Sequence, residues 1–116
     1  MISKMLLSGA AAAPEFAVSM TPSSLTDFTS GGGYTSPRFT INIVGGGSTY
    51  SYLWSFSGGD ANDFTITGST TKDYALASVS GFNQTFQTDI VCTVTDDSTG
   101  DTFTASAPIL ITFESF

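Results

Sequence analysis

The chain has no histidine, a single cysteine and only three basic residues, Lys4, Arg38 and Lys72. Without histidine, Ser-His-Asp and Cys-His catalysis are closed to it, as are the imidazole ligands of most transition-metal sites. With Cys92 alone it can form neither an internal disulfide nor a structural zinc site, so cysteine usage does not report a redox compartment. Three cations against ten carboxylates leave a net charge of −7. A phosphate-tracking surface needs clustered Lys and Arg, so no nucleic acid is expected as a partner. Anionic membranes lose their usual attraction for the same reason, and no apolar run is long enough to span a bilayer. The inventory implies no cofactor and no enzyme.

What the sequence has instead is β-forming material. Ser and Thr make up about 30% of its 116 residues, while charged residues make up only 11%. Such a composition favours extended, half-buried surfaces over exposed helices. One domain of ordinary size is the default at this length.

The first fifteen residues differ from the rest. Lys4 followed by Met5-Leu6-Leu7-Ser8-Gly9-Ala10-Ala11-Ala12-Ala13 imitates a signal peptide. Ser8 and Gly9 interrupt the apolar stretch, however, and Pro14 sits just past the would-be cut, where its ring restricts the peptide a protease must bind. The segment reads as an uncleaved arm that packs on a neighbour. Its partner-binding residues are Met5, Leu6, Leu7, Phe16 and Val18, and residues 1–20 are expected to anchor the protein.

Period-2 alternation then runs through most of the chain. A first strand carries Phe16, Val18 and Met20 and stops at Pro22, and Thr26 to Pro37, with Gly31-Gly32-Gly33, reads as a loop or linker. Arg38 to Val44 and Thr49 to Ser57 are the second and third strands, the third presenting Tyr50, Tyr52, Trp54 and Phe56 on one face. Phe64 to Thr67 and Asp73 to Val79 follow as the fourth and fifth. The last two form a hairpin, with Phe86, Ile90, Cys92 and Val94 facing Phe103, Ala105, Ala107, Ile109, Ile111 and Phe113 across the Asp96 to Asp101 turn. Gly100 suits the positive φ of that turn. Pro108, lacking an N–H, marks an edge or a bulge in the last strand. About seven strands at this spacing imply an all-β, antiparallel sandwich. The expected organisation is an N-terminal arm, first strand and Gly-rich linker over 1–37 and the sandwich over 38–116.

Trp54 in Tyr50-Ser51-Tyr52-Leu53-Trp54-Ser55-Phe56, Cys92 in Asp89-Ile90-Val91-Cys92-Thr93-Val94-Thr95-Asp96, and the Ser98-Thr99-Gly100-Asp101-Thr102 turn together resemble bacterial and phage immunoglobulin-like, PKD-like modules. The resemblance covers about Phe39 to Phe113. In antibody-type domains a buried Trp packs on a cystine between the second and sixth strands. Here Ile41, thirteen positions before Trp54, replaces the first cysteine, and Ile90 stands where the tyrosine corner would lie. A bridge of this kind contributes typically about 2–4 kcal/mol, which aromatic packing at about 1.5–3 kcal/mol per large buried side chain can offset.

Few residues offer chemistry. Asp60, Asn62 and Asp63 form a candidate calcium site, since hard cations take oxygen ligands, although the spacing is not that of an EF-hand. Paired carboxylates, Asp60 with Asp63 and Asp96 with Asp97 and Asp101, are the remaining catalytic option and read as solvated turn residues. Tyr34, Tyr74 and Phe82 would suit stacking on a host-surface glycan.

Such modules are frequent among tailed-phage structural proteins. The resemblance implies a virion protein, with the sandwich exposed as a capsid decoration or cement and the arm docked on other virion proteins as part of a homo-oligomeric assembly. Tail-tip or tail-fibre placement and a bacterial surface adhesin are the alternatives.

Overall fold

The computed structural model describes residues 16–45 and 49–114, which form nine strands and one 3-10 turn. The strands are β1 (Ala17–Thr21), β2 (Leu25–Thr29), β3 (Gly33–Thr35), β4 (Phe39–Val44), β5 (Tyr50–Ser57), β6 (Phe64–Thr67), β7 (Tyr74–Ser80), β8 (Thr85–Asp96) and β9 (Thr102–Phe113). Two packed sheets result. One runs β1-β4-β7-β3 with β6 also on β7; the other runs β2-β9-β8-β5.

The alternation that predicts the strands also fills the space between the sheets. Phe39, Ile41, Ala75, Ala77 and Val79 from one sheet meet Trp54, Ile90, Cys92, Val94, Ala107, Ile109, Ile111 and Phe113 from the other, all buried. At one end Phe86 stands edge-on to both Phe64 and Phe113. Trp54 faces Cys92 directly across the β5/β8 ladder, and its indole N–H donates to the Lys72 carbonyl at 2.6 Å. That bond, with Trp54 N–H to Thr70 O at 3.0 Å, ties the β6–β7 connection to β5.

Two strands arise where the sequence reads as a loop. Thr26 to Pro37 contains most of β2 and all of β3. In β2 the alternation is inverted, with Phe28 exposed and Asp27 half-buried, so periodicity hides it. Its partner defines it: β2 lies parallel to β9, Leu25 opposite Ile109 through Thr29 opposite Phe113. Against the expectation of about seven antiparallel strands, the described residues form nine, and the β2–β9 pair is parallel. β3 and β4 pair in succession along one edge of β7, joined through buried Ser36. Ser36 donates its N–H to Ala77 O (2.8 Å), and its Oγ accepts the Ala77 N–H (2.9 Å). A small hydroxyl thereby carries the ladder past Pro37, which has no N–H to give. Strands on both sides of position 37 thus belong to the same sheets.

The β8–β9 hairpin matches its expectation. Gly100 sits at φ +82° and donates to Asp96 O at 2.7 Å. Pro108 makes no bulge and pairs in register with Asp89.

Candidate functional site

The arm residues predicted to bind a partner divide between two fates. Met5, Leu6 and Leu7 lie outside the described residues. Phe16 and Val18 belong to the sandwich itself. The Phe16 ring is edge-on to Phe103, with centroids 4.5 Å apart, and 5.6 Å from Tyr50, while Val18 is half-buried on β1 opposite Ile43. Anchoring by residues 1–20 therefore gives way to a narrower segment, since β1 buries Met20 against the core and removing it would open the β4 edge. Phe16, the first described residue, lies beside Phe103 at the start of β9.

The candidate calcium ligands sit at the 3-10 turn Ala61–Asp63. Asp60 makes two bonds to one strand residue: its N–H donates to Gln87 O at 2.6 Å and its Oδ2 accepts the Gln87 N–H at 2.9 Å. This carboxylate is committed to closing the open end of the β8 ladder. Asp96 is used in the same way, its Oδ1 accepting from the Ser98 N–H (3.0 Å) and hydroxyl (2.6 Å). Asp97 takes the Ser51 hydroxyl on both oxygens, at 2.7 and 2.9 Å. Among the described residues no group of three or more His, Cys, Asp or Glu side chains is placed to share an ion.

The three predicted sugar-stacking rings form no common platform. Tyr34 pairs with Val79 and Tyr74 with Thr40, five residues apart along β7, about 17 Å at the rise of a strand. Tyr34 points into the sandwich. Tyr74 has the Arg38 guanidinium 4.0 Å from its ring centroid and the Lys72 ammonium at 5.8 Å, two cation–π contacts. Phe82 alone is open, 72% exposed in the β7–β8 connection.

Cys92 is fully buried, and burial pushes its thiol up to about 11, so it is a packing group and not a nucleophile.

One polar contact spans the two sheets. The Tyr34 hydroxyl on β3 donates to Asp27 Oδ2 on β2 at 2.7 Å, while Asp27 Oδ1 accepts the Phe28 N–H at 2.9 Å. The Tyr34 bond, then the backbone one, holds the Asp27 carboxyl below its ordinary value. Burial, then the bond to Asp27, pushes Tyr34 up to about 12. A lowered carboxylate stabilises the fold above the unfolded value of about 3.8 and stops doing so as pH falls through the folded value. A raised phenol stabilises it below about 10, and that contribution is lost as pH climbs toward 12. The stability gap between the native chain and Tyr34→Phe is therefore expected to be flat from about pH 5 to 9 and to shrink at both extremes. Urea midpoints across that range measure it; a gap independent of pH would show that the pair is not coupled.

The surface feature that sequence reading missed lies along β9. Its edge away from β8 pairs with β2 from Ile109 to Phe113, and β1 packs alongside the strand, with the Phe16 ring against Phe103. Where β2 begins, a shallow apolar groove of about 240 Å³ opens between Leu25, Gln87, Pro108 and Leu110. Pro108 is its one sequence signal.

Comparison with known proteins finds no family model, no curated protein and no solved structure that matches this chain.

Proposed function

We propose that this chain is a non-enzymatic structural protein of a tailed-phage virion, an immunoglobulin-like sandwich displayed on the capsid and held there by the residues ahead of Phe16. The observation that carries the reading is the strand order. With β2 and β3 set aside as additions, the neighbours β1-β4-β7-β6 and β9-β8-β5 are compatible with an immunoglobulin sandwich, in which Trp54 would lie on the third strand and Cys92 on the sixth. β2 is the continuation of the first strand after it changes sheets. Asp60, Asp96 and Asp97 spend carboxylate oxygens on backbone and hydroxyl donors at turns, which favours a rigid display module over a catalyst.

Quantitative mass spectrometry of purified particles tests this. Hundreds of copies per particle are expected; a few to a few dozen would move the protein to the tail, and none would overturn the virion reading. A chain lacking residues 1–15, which retains β1, should melt as the full chain does and lose particle association.

A further inference from the structure

We infer that the outer face where β2 meets β9 is a self-pairing surface: Phe28 of one copy of this chain enters the groove beside Pro108 and Leu110 of a second copy, and the reciprocal contact closes a dimer. The inference is independent of the virion reading.

Register places the parts. β2 lies beside β9 with Thr26 opposite Leu110 and Phe28 opposite Thr112, and β9 lies beside β8 with Leu110 opposite Gln87 and Thr112 opposite Thr85. These positions turn outward, since Phe86, Ile109 and Ile111 between them are buried in the core. Phe28 is 63% exposed and Leu110 37%. They stand on adjacent strands two residues out of step, a diagonal of about 7–8 Å. Phe28 is committed to the outside. The Tyr34 hydroxyl holds Asp27 toward the opposite sheet, and in a strand the next side chain then points away from it. Asp27 Oδ1 also occupies the Phe28 N–H, a charged cap on the edge of β2. The face of this strand, and not its edge, is what offers a contact.

The groove beside the ring is sized for a side chain. At about 240 Å³ it falls below the roughly 300–1,000 Å³ of small-molecule pockets. Leu25, Thr26, Gln87, Pro108 and Leu110 line it. An exposed aromatic next to an apolar groove is the kind of patch that marks a protein contact.

Two features choose a second copy as the occupant. A two-fold interface must be self-complementary, so each surface has to hold both halves of the contact. Here the projecting ring and the groove share one face, and a two-fold axis passing between Leu110 and Phe28 sets each ring over the other copy's groove. Charge is the second feature. Thr26, Phe28, Thr85, Gln87, Leu110 and Thr112 carry none, on a chain of net charge −7. Asp89, the one charged residue at an outward position of these four strands, lies opposite Pro108 on the side away from Phe28. The axis leaves the two Asp89 side chains about 25 Å apart, well past the Debye length of about 8 Å. The patch spans about 27 Å along the strands and about 17 Å across them, roughly 900 Å² from two copies, the size of a weak and reversible interface.

Sedimentation velocity from about 10 to 500 μM, a range suited to weak interfaces, compares the native chain with Phe28→Thr and Leu110→Gln. Phe28→Thr removes the ring at an exposed position and keeps a strand-forming residue. Leu110→Gln puts a polar group in the groove; if its melt is lowered, Thr26→Gln on the exposed rim replaces it. The native chain is expected to dimerise, and each variant alone to lose at least about tenfold in association. An equimolar mixture of the two variants should associate more tightly than either alone. The mixed dimer keeps one intact contact, Phe28 of the Leu110→Gln chain in the groove of the Phe28→Thr chain, whereas each variant with itself keeps none. Raising salt from about 0.05 to 0.5 M should strengthen the native dimer, because it screens the repulsion of two acidic bodies and spares an apolar contact. A native chain still monomeric at the highest concentration, a Phe28→Thr chain that dimerises as the native one does, a mixture no tighter than its components, or a dimer that weakens with salt would each overturn the inference.

Discussion

Trp54→Ala is expected to cost about 3–5 kcal/mol, the range for removing a large aromatic from a core. Trp54 is 3% exposed and sits at the middle of β5, so no rearrangement short of moving a strand refills its volume. Its loss also releases the Lys72 carbonyl, bonded to the indole at 2.6 Å, and with it the tie between the β6–β7 connection and β5. Against the total of about 5–15 kcal/mol usual for a domain, this brings the chain near unfolding. Trp54→Phe keeps most of the packing and gives up the bond, so its cost should lie closer to about 1–3 kcal/mol. Urea denaturation of the three chains orders them; a Trp54→Ala midpoint equal to the native one would remove Trp54 from the centre of the core.

Gly59→Ala has the next largest effect, for a different reason. Gly59 lies at φ +53°, and a Cβ there would stand 2.3 Å from Gln87 O and 3.1 Å from Gln87 C. The obstacle is backbone, and Gln87 O is itself held by Asp60 N–H at 2.6 Å. Relief requires breaking the Asp60 clasp on β8, so the expected loss is about 2–4 kcal/mol. Gly58→Ala is the internal control. Gly58 has φ +75° with nothing within 4 Å of its Cβ position, leaving only the conformational cost of about 1–2 kcal/mol. Equal midpoints for the two variants would mean that the contact with Gln87 does not constrain the turn.

Much of the sandwich was readable because strand periodicity is local. Phe64 to Thr67 falls where alternation puts it, and the second, third, fifth and hairpin strands differ from expectation only at their ends. β2 was not readable, since an inward acid and an outward Phe28 invert the pattern and only the ladder with β9 and the bond to Tyr34 explain them. As an apolar residue at the end of an arm Phe16 reads as a partner contact; in the fold it is half-buried against Phe103 and Tyr50, distant in sequence, which no local pattern announces. Asp60 reads as a cation ligand from its composition alone, and the fold adds what the sequence does not carry, that its Oδ2 accepts the Gln87 N–H.

The sequence by itself determined the class of structure and the chemistry withheld from it: alternation selects strands, and a chain with no histidine and one cysteine cannot assemble the common catalytic or zinc centres. Only the tertiary structure decided that β2 joins β9 in parallel and that Phe16 packs on Phe103. Those depend on which strands meet across long stretches of chain, and period-2 alternation encodes which face of a strand is buried but not which neighbour lies beside it.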